Sequence, residues 1–376
     1  MRIPDKDYTI ETFLEYIGNN PKKVFGAEDS RKWLKVYLVY SQDEWKELFA
    51  GLNLKRMGEV YQVVIPTKKG RRVVSKDSVT FYVYELRRGL LMFFSASRER
   101  DYEQSLKHFI DTKIGLTEMW ITPESFDQIK NHLLVNYDAT IYRFIGRRNL
   151  NATIPAEIRP EFSRRISYSG NDATQALKEF RTRYGVSPVS IDFRMGSVTL
   201  QVTNDGLFLL RGVSMRALWM TLETIDLIIV KQLTISETSK KFQSHTELVK
   251  VGEREFALPG VTAGVIRLPQ VVLNSQSIEQ FLRYQEEWEQ ELGDEQGPIE
   301  FYFINTLVEE EPLSFSTIAV DKLKGTVFGV SGGVNELVVV PKHRTTFESF
   351  ISFYRLISEL LDSQAYLTPF SETIAR

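Results

Sequence analysis

The chain has 376 residues, 43% hydrophobic and 26% charged, a globular composition that excludes wholesale disorder and leaves room for two or three domains. It contains no cysteine, so disulfides, thiolate metal sites and a cysteine nucleophile are excluded. The net charge of −2 hides an asymmetry: nine Lys/Arg against four acids from Thr140 to Arg183, and eleven acids against one base from Gln276 to Glu311.

The N-terminus, Met1 to Asp7, is polar and acidic and predicts no signal peptide. The longest apolar-looking run, Leu218 to Val230, is broken by Thr221, Glu223, Thr224 and Asp226, well short of the ~20 residues of a membrane span. A soluble, cytoplasmic protein without a membrane contact is expected.

In chain order, Thr9 to Gly18 reads as a helix with Ile10, Phe13, Leu14 and Ile17 on one face. Trp33 to Tyr40 suits a strand. Ser41 with Glu44 predicts a capping box and a helix that buries Trp45, Leu48, Phe49 and Leu52. Strands follow at Val60–Ile65, Val79–Leu86 and Leu90–Ser95, the last two joined through Arg87-Arg88-Gly89. A helix is expected over Glu99–Thr112, a strand over Leu116–Ile121, and a helix starting at Thr122-Pro123 with Phe126, Ile129 and Leu133 inward. Ala139–Arg147 returns as a strand, and Arg148 to Ser169 lacks a clean period and reads as a long connection.

Asp172 and Gln175 predict the cap of a helix that Gly185 stops. Strands are expected at Val189–Met195, Val198–Thr203 and Leu207–Arg211, the last two joined by the hairpin signal Asn204-Asp205-Gly206. A long helix from Met215 to about Gln232 closes this part. Residues 236–270 give no clear assignment. Beyond them come a helix over Ser277–Leu292, strands at Ile299–Val308, Phe315–Val320, Thr326–Val330 and Glu336–Val340, and a last helix from Thr345 to about Leu361.

Hairpin-linked strands followed by one long helix recur near 60–112, 189–232 and 299–361. The order predicts an α+β protein, antiparallel sheets with helices packed on one face, in two or three units. The breaks place an N-terminal α+β domain at 1–150, a central α+β domain with the hairpin and long helix at 151–270, and a C-terminal α+β unit at 271–376.

Gly329-Val330-Ser331-Gly332-Gly333 matches the G-x-S-x-G pattern, which needs a strand-to-helix turn that lifts the serine above a sheet. Here a β-branched run follows, so a hairpin is expected and no catalytic residue is assigned. No two of His108, His132, His245 and His343 lie within five residues of each other, and neither a phosphate loop nor a dinucleotide fingerprint occurs. No cofactor and no metal are expected.

The remaining signal is the basic stretch. Arg143, Arg147, Arg148, Arg164, Arg165, Arg181 and Arg183 are the candidate nucleic-acid-binding residues, because guanidinium groups clamp phosphates and the interleaved Tyr142 and Phe144 can stack on bases. The expected function is a non-catalytic binding or scaffold protein that contacts DNA or RNA through this face and a protein partner through residues 276–311. Two alternatives stand beside it: an interaction protein whose charge blocks pair within a homo-oligomer or complex, and an enzyme whose site carries no local motif.

Overall fold

The computed structural model describes residues 1–26, 33–42, 44–68, 77–148, 165–252, 254–292, 301–342 and 344–368. They form mixed α+β structure with antiparallel sheets and helices packed against them. The chain divides into two compact units. The first comprises Met1–Gly146, Ser167–Lys178 and Pro188–Leu233; the second comprises Arg147–Ile166, Glu179–Ser187 and Thr234–Arg376.

The first unit opens with α1 (Ile10–Asn19), which Thr9 caps reciprocally with Thr12, and α2 (Pro21–Phe25). β1 (Trp33–Ser41) follows, then α3 (Trp45–Leu48), β2 (Asn53–Met57), β3 (Val60–Pro66), β4 (Ser78–Arg87) and β5 (Leu90–Ser95). Next come α4 (Glu99–Tyr102), a π turn over Glu103–Lys107, α5 (His108–Thr112), β6 (Leu116–Glu118) and α6 (Pro123–Asn136). β7 (Thr140–Arg148), β8 (Arg165–Ser169), α7 (Ala173–Tyr184), β9 (Val186–Met195), β10 (Val198–Thr203), β11 (Leu207–Arg211) and α8 (Met215–Lys240) complete the series. The division between the units falls inside β7, β8, α7, β9 and α8.

The strands form one eleven-stranded sheet in the order β2-β3-β4-β5-β1-β11-β10-β9-β7-β8, with β6 also paired to β1. Every neighbour from β2 through to β9 is antiparallel. β1 is almost wholly apolar or aromatic and buried, as a strand with both edges paired must be. One of its faces, with Tyr37 and Val39, joins Phe81, Phe93, Tyr102, Leu106 and Ile110 in a single core cluster under the α4–α5 segment. On the opposite side of the sheet, Phe13 of α1 packs edge-on to Phe94. There also the Tyr40 hydroxyl donates to Gln232 of α8, and Gln232 donates to Ser125 of α6 at 3.3 Å.

The second unit holds the hairpin β12 (Gln243–Val251) and β13 (Arg254–Thr262), then β14 (Gly264–Arg267), α9 (Ser275–Leu292), β15 (Phe301–Glu310) and β16 (Leu313–Asp321). β17 (Thr326–Gly332), β18 (Glu336–Pro341), α10 (Phe347–Leu360) and β19 (Tyr366–Thr368) follow. Six of these strands form a sheet in the order β15-β16-β17-β18-β14-β19. Phe301, Phe328 and Phe353 meet edge-on between sheet and α10, and Phe242 stacks on Phe350 with centroids 4.5 Å apart.

Three local expectations are corrected. Ser41 is not a helix cap: it ends β1, opposite Leu116 of β6, with its amide bonded to the Gly89 carbonyl. Strand pairing on both sides overrides the local capping pattern, and only Trp45–Leu48 turns into helix. The expected connection ends early, because Arg165–Ser169 is β8; residues 149–164 lie outside the described residues. Residues 236–270 form the last turns of α8 and strands β12 to β14.

Gly206, at the β10–β11 hairpin, has φ +79°, and a Cβ there would stand 2.7 Å from the Met119 carbonyl oxygen. Gly196, at the β9–β10 turn, has φ +58° with open space around it. Left-handed backbone alone costs an L-residue about 1–2 kcal/mol. Gly196→Ala is therefore expected to cost about 1 kcal/mol and Gly206→Ala at least about 2 kcal/mol, read as the shift in urea-induced unfolding.

Candidate nucleic-acid interface

The structure sorts the seven sequence-selected arginines. Arg143 is exposed on β7 in the first unit. Arg147, Arg148, Arg165, Arg181 and Arg183 belong to the second unit, and Arg164 lies outside the described residues. Arg147 is committed to the fold: its Nη1 is 3.0 Å from Glu359 Oε2, while Arg355 Nε reaches the other carboxylate oxygen at 2.8 Å. Arg148 is 6% exposed, and its Nε donates to the Tyr184 carbonyl at 3.1 Å. That carbonyl ends α7 and has no intrahelical partner, so Arg148 satisfies an orphaned acceptor. Burial pulls the Arg148 pKa down, a cost the fold accepts for that bond.

Arg183 pairs with Glu179 one turn earlier, at 2.8 Å. Arg181 and Arg183 both occupy the last turn of α7, where positive charge complements the helix dipole. Arg165 is exposed on β8. The alternation of β7 thus separates Arg143 from Arg148 as expected, but it does not leave the whole stretch free to face a ligand.

A different set of side chains converges in the first unit. Trp33 of β1 is opposite Arg211 of β11, Arg211 is opposite Thr199 of β10, and Thr199 is opposite Arg194 of β9. Directly paired residues point to the same face of a sheet, so these four form one row. β7 is the next strand after β9, and its Tyr142 closes the row. The Arg211 guanidinium carbon sits 4.5 Å from the Trp33 ring centroid, and that of Arg194 sits 4.7 Å from the Tyr142 ring. Both are cation–π pairs. Arg194 is exposed, and Trp33, Arg211, Thr199 and Tyr142 are half-buried.

Among the described residues no carboxylate lies within ion-pair distance of Arg143, Arg194 or Arg211. The Arg211 Nε is buried and has no hydrogen-bond partner among them. The next row on the same face holds Lys35, Leu209, Gln201 and Asp192. Asp192 is 2% exposed and accepts the Tyr142 hydroxyl at 3.2 Å. Burial pushes its pKa up, against the Tyr142 hydrogen bond and the charges of Arg143 and Arg211. Lys35 is also buried, which lowers its pKa in spite of Glu99, Asp101 and Glu103.

The sequence reading includes only Arg143 and Tyr142 from this neighbourhood. Arg194 and Arg211 lie on the sequential strands β9 and β11, and Trp33, far away along the chain, joins them only through the β1–β11 pairing. Their one local signal is alternation: Asp192 and Arg194, and Thr199 and Gln201, put polar groups on the same face of two neighbouring strands.

Ser331 is not raised on an elbow. It lies inside β17, opposite Ser316 on one side and Val338 on the other, and strand β18 follows it. It lines a cavity of about 340 Å³ on the six-stranded sheet with Ser314, Ser316, Glu309 and Glu336. In the acidic 276–311 stretch, Glu309 and Glu310 are exposed on β15. Among the described residues no group of three His, Asp or Glu side chains is placed to hold a metal ion, and no helix is long and apolar enough to cross a membrane.

Residues 124–203 match a protein-family model described as a family middle domain. The matched stretch runs from α6 to the end of β10 and contains Tyr142, Asp192, Arg194 and Thr199, but not Trp33 or Arg211. The chain is also similar to an Archaeoglobus fulgidus protein described as uncharacterized, at 23% identity over 290 residues, 74% of each chain. Neither description carries an activity.

Two outcomes follow from this geometry. Arg147→Ala is expected to cost about 1–3 kcal/mol in urea unfolding, because it strips one partner from a largely buried carboxylate, whereas exposed Arg143→Ala stays within about 0.5 kcal/mol. Asp192 binds its proton more tightly folded than unfolded, so its contribution to stability falls as pH rises from the ordinary carboxylate range through its raised folded pKa. Asp192→Asn is expected to flatten that part of the stability–pH curve and to leave stability at pH 7 equal or higher; a loss of stability at pH 7 contradicts this assignment.

Proposed function

We propose that the protein is a binding or scaffold protein that holds nucleic acid on the face of the large sheet in its first unit. The observation that carries this reading is the row Trp33–Arg211–Thr199–Arg194–Tyr142, in which two arginines with no carboxylate within ion-pair distance among the described residues lie over two aromatic rings. A protein stabilises its own fold by pairing arginines with carboxylates, as Arg147 and Arg183 do here. Guanidinium groups left unpaired and backed by aromatic planes instead match phosphates and bases.

In this proposal the selected stretch from Arg143 to Arg183 divides into two roles. Arg143 adds positive charge to the first unit, and Arg147 and Arg148 are bound within the second unit, by Glu359 and by the Tyr184 carbonyl. The acidic 276–311 stretch, with Glu309 and Glu310 exposed, is the surface for a protein partner. The cytoplasm is the compartment this reading implies.

The test is binding of the full chain to fluorescent DNA and RNA oligonucleotides at rising salt. Affinity is expected to fall with a log–log slope of about −2, as for roughly three phosphates on a single strand. Arg194→Glu with Arg211→Glu is expected to abolish retention, while Arg181→Glu with Arg183→Glu reduces it far less. Absence of binding to any oligonucleotide at low salt overturns the proposal.

A further inference from the structure

The sheet face narrows the ligand further, on the premise that this face is where nucleic acid binds. Read from one end to the other, the row crosses five neighbouring strands, β1, β11, β10, β9 and β7. At the usual strand spacing of ~4.8 Å this is a span of about 19 Å. That length accommodates a few nucleotides of one strand.

The row is flat. Trp33, Arg211, Thr199 and Tyr142 are half-buried in the sheet surface, and only Arg194 is fully exposed. A duplex hides its base faces and is read by a helix or ribbon that enters a groove. Side chains half-buried in a sheet surface do not reach into one, although they can meet bases that are already unstacked. Each end of the row offers a guanidinium plane on an aromatic ring, and both kinds of surface accept a base by stacking. Between them Thr199 and the adjacent Gln201 offer a hydroxyl and an amide at mid-row.

We infer that the Trp33–Arg211–Thr199–Arg194–Tyr142 row is a stacking platform for unpaired bases, so that its ligand is single-stranded nucleic acid. The charge of the arginines draws the strand to the face, and the planes decide that it must be unpaired.

The experiment uses the full chain and three fluorescent probes of equal length, oligo-dT, oligo-rU and a blunt DNA duplex, with anisotropy as the readout. Single strands are expected to bind at least about tenfold tighter than duplex. Trp33→Ala or Tyr142→Ala is expected to weaken single-strand binding by about 5- to 100-fold with little change in salt slope, and Trp33→Phe, which keeps a ring, to restore most of it. Arg211→Lys keeps the charge but loses the plane, and it too weakens binding at unchanged slope. Comparison of oligo-dT with oligo-rU separates DNA from RNA as the source. Duplex bound as tightly as single strand, or ring-to-alanine variants of native fold that bind as before, overturn the platform and leave the nucleic-acid reading standing. No binding of any probe overturns both.

Discussion

The first unit depends on the double pairing of β1. The strand bonds to β5 through Lys35–Tyr40 and to β11 through Trp33–Tyr37. It thereby joins one antiparallel meander, β2 to β5, to another, β9 to β11, in a single sheet. A strand paired along both edges and covered on both faces must be apolar nearly throughout, and β1 is. The same pairing draws Ser41 into the strand and shortens the helix after it. It also sets the register that places Trp33 beside Arg211. A slip of one residue would send Trp33, Lys35 and Tyr37 to the opposite face.

Cover on the two faces is unequal. Under the α4–α5 segment, Tyr37 stacks on Tyr102 with centroids 3.9 Å apart, and Tyr102 donates to Glu118 at 2.7 Å. Burial pushes both phenols well up, so they remain neutral within the core. Towards β11, β10 and β9 the same face turns polar and half-exposed, and there the arginine–aromatic pairs lie. A buried Asp192 beside them is the price of a polar row set into a sheet; the Tyr142 hydroxyl and two nearby arginines offset it in part.

Arginine identity alone says little about arginine role. Arg147 and Arg148 are neighbours in sequence with the same formal charge, yet one closes a carboxylate shared with Arg355 and the other caps a helix carbonyl. Arg194 and Arg211 sit in strands with no notable charge density and have no carboxylate within ion-pair distance among the described residues. What separates the two pairs is the partner each meets after folding, a property of tertiary packing rather than of local composition.

Local signals in the sequence carried much of the fold. Thr9 and Thr122-Pro123 marked helix starts, Asn204-Asp205-Gly206 marked a hairpin, and alternation marked most strands, because caps, turns and period-two burial act within a few residues. They also placed Ser331 in a hairpin, though at its turn and not inside β17, where it lies. Edge strands such as β2, β8 and β19 left little trace, being short and only partly buried. The sequence alone determined the class, the antiparallel character and the position of most elements. Tertiary structure decided the strand order, hence which arginines were consumed by the fold and which met Trp33 and Tyr142. That choice rests on contacts between residues 36 to 212 positions apart, and no local pattern encodes them.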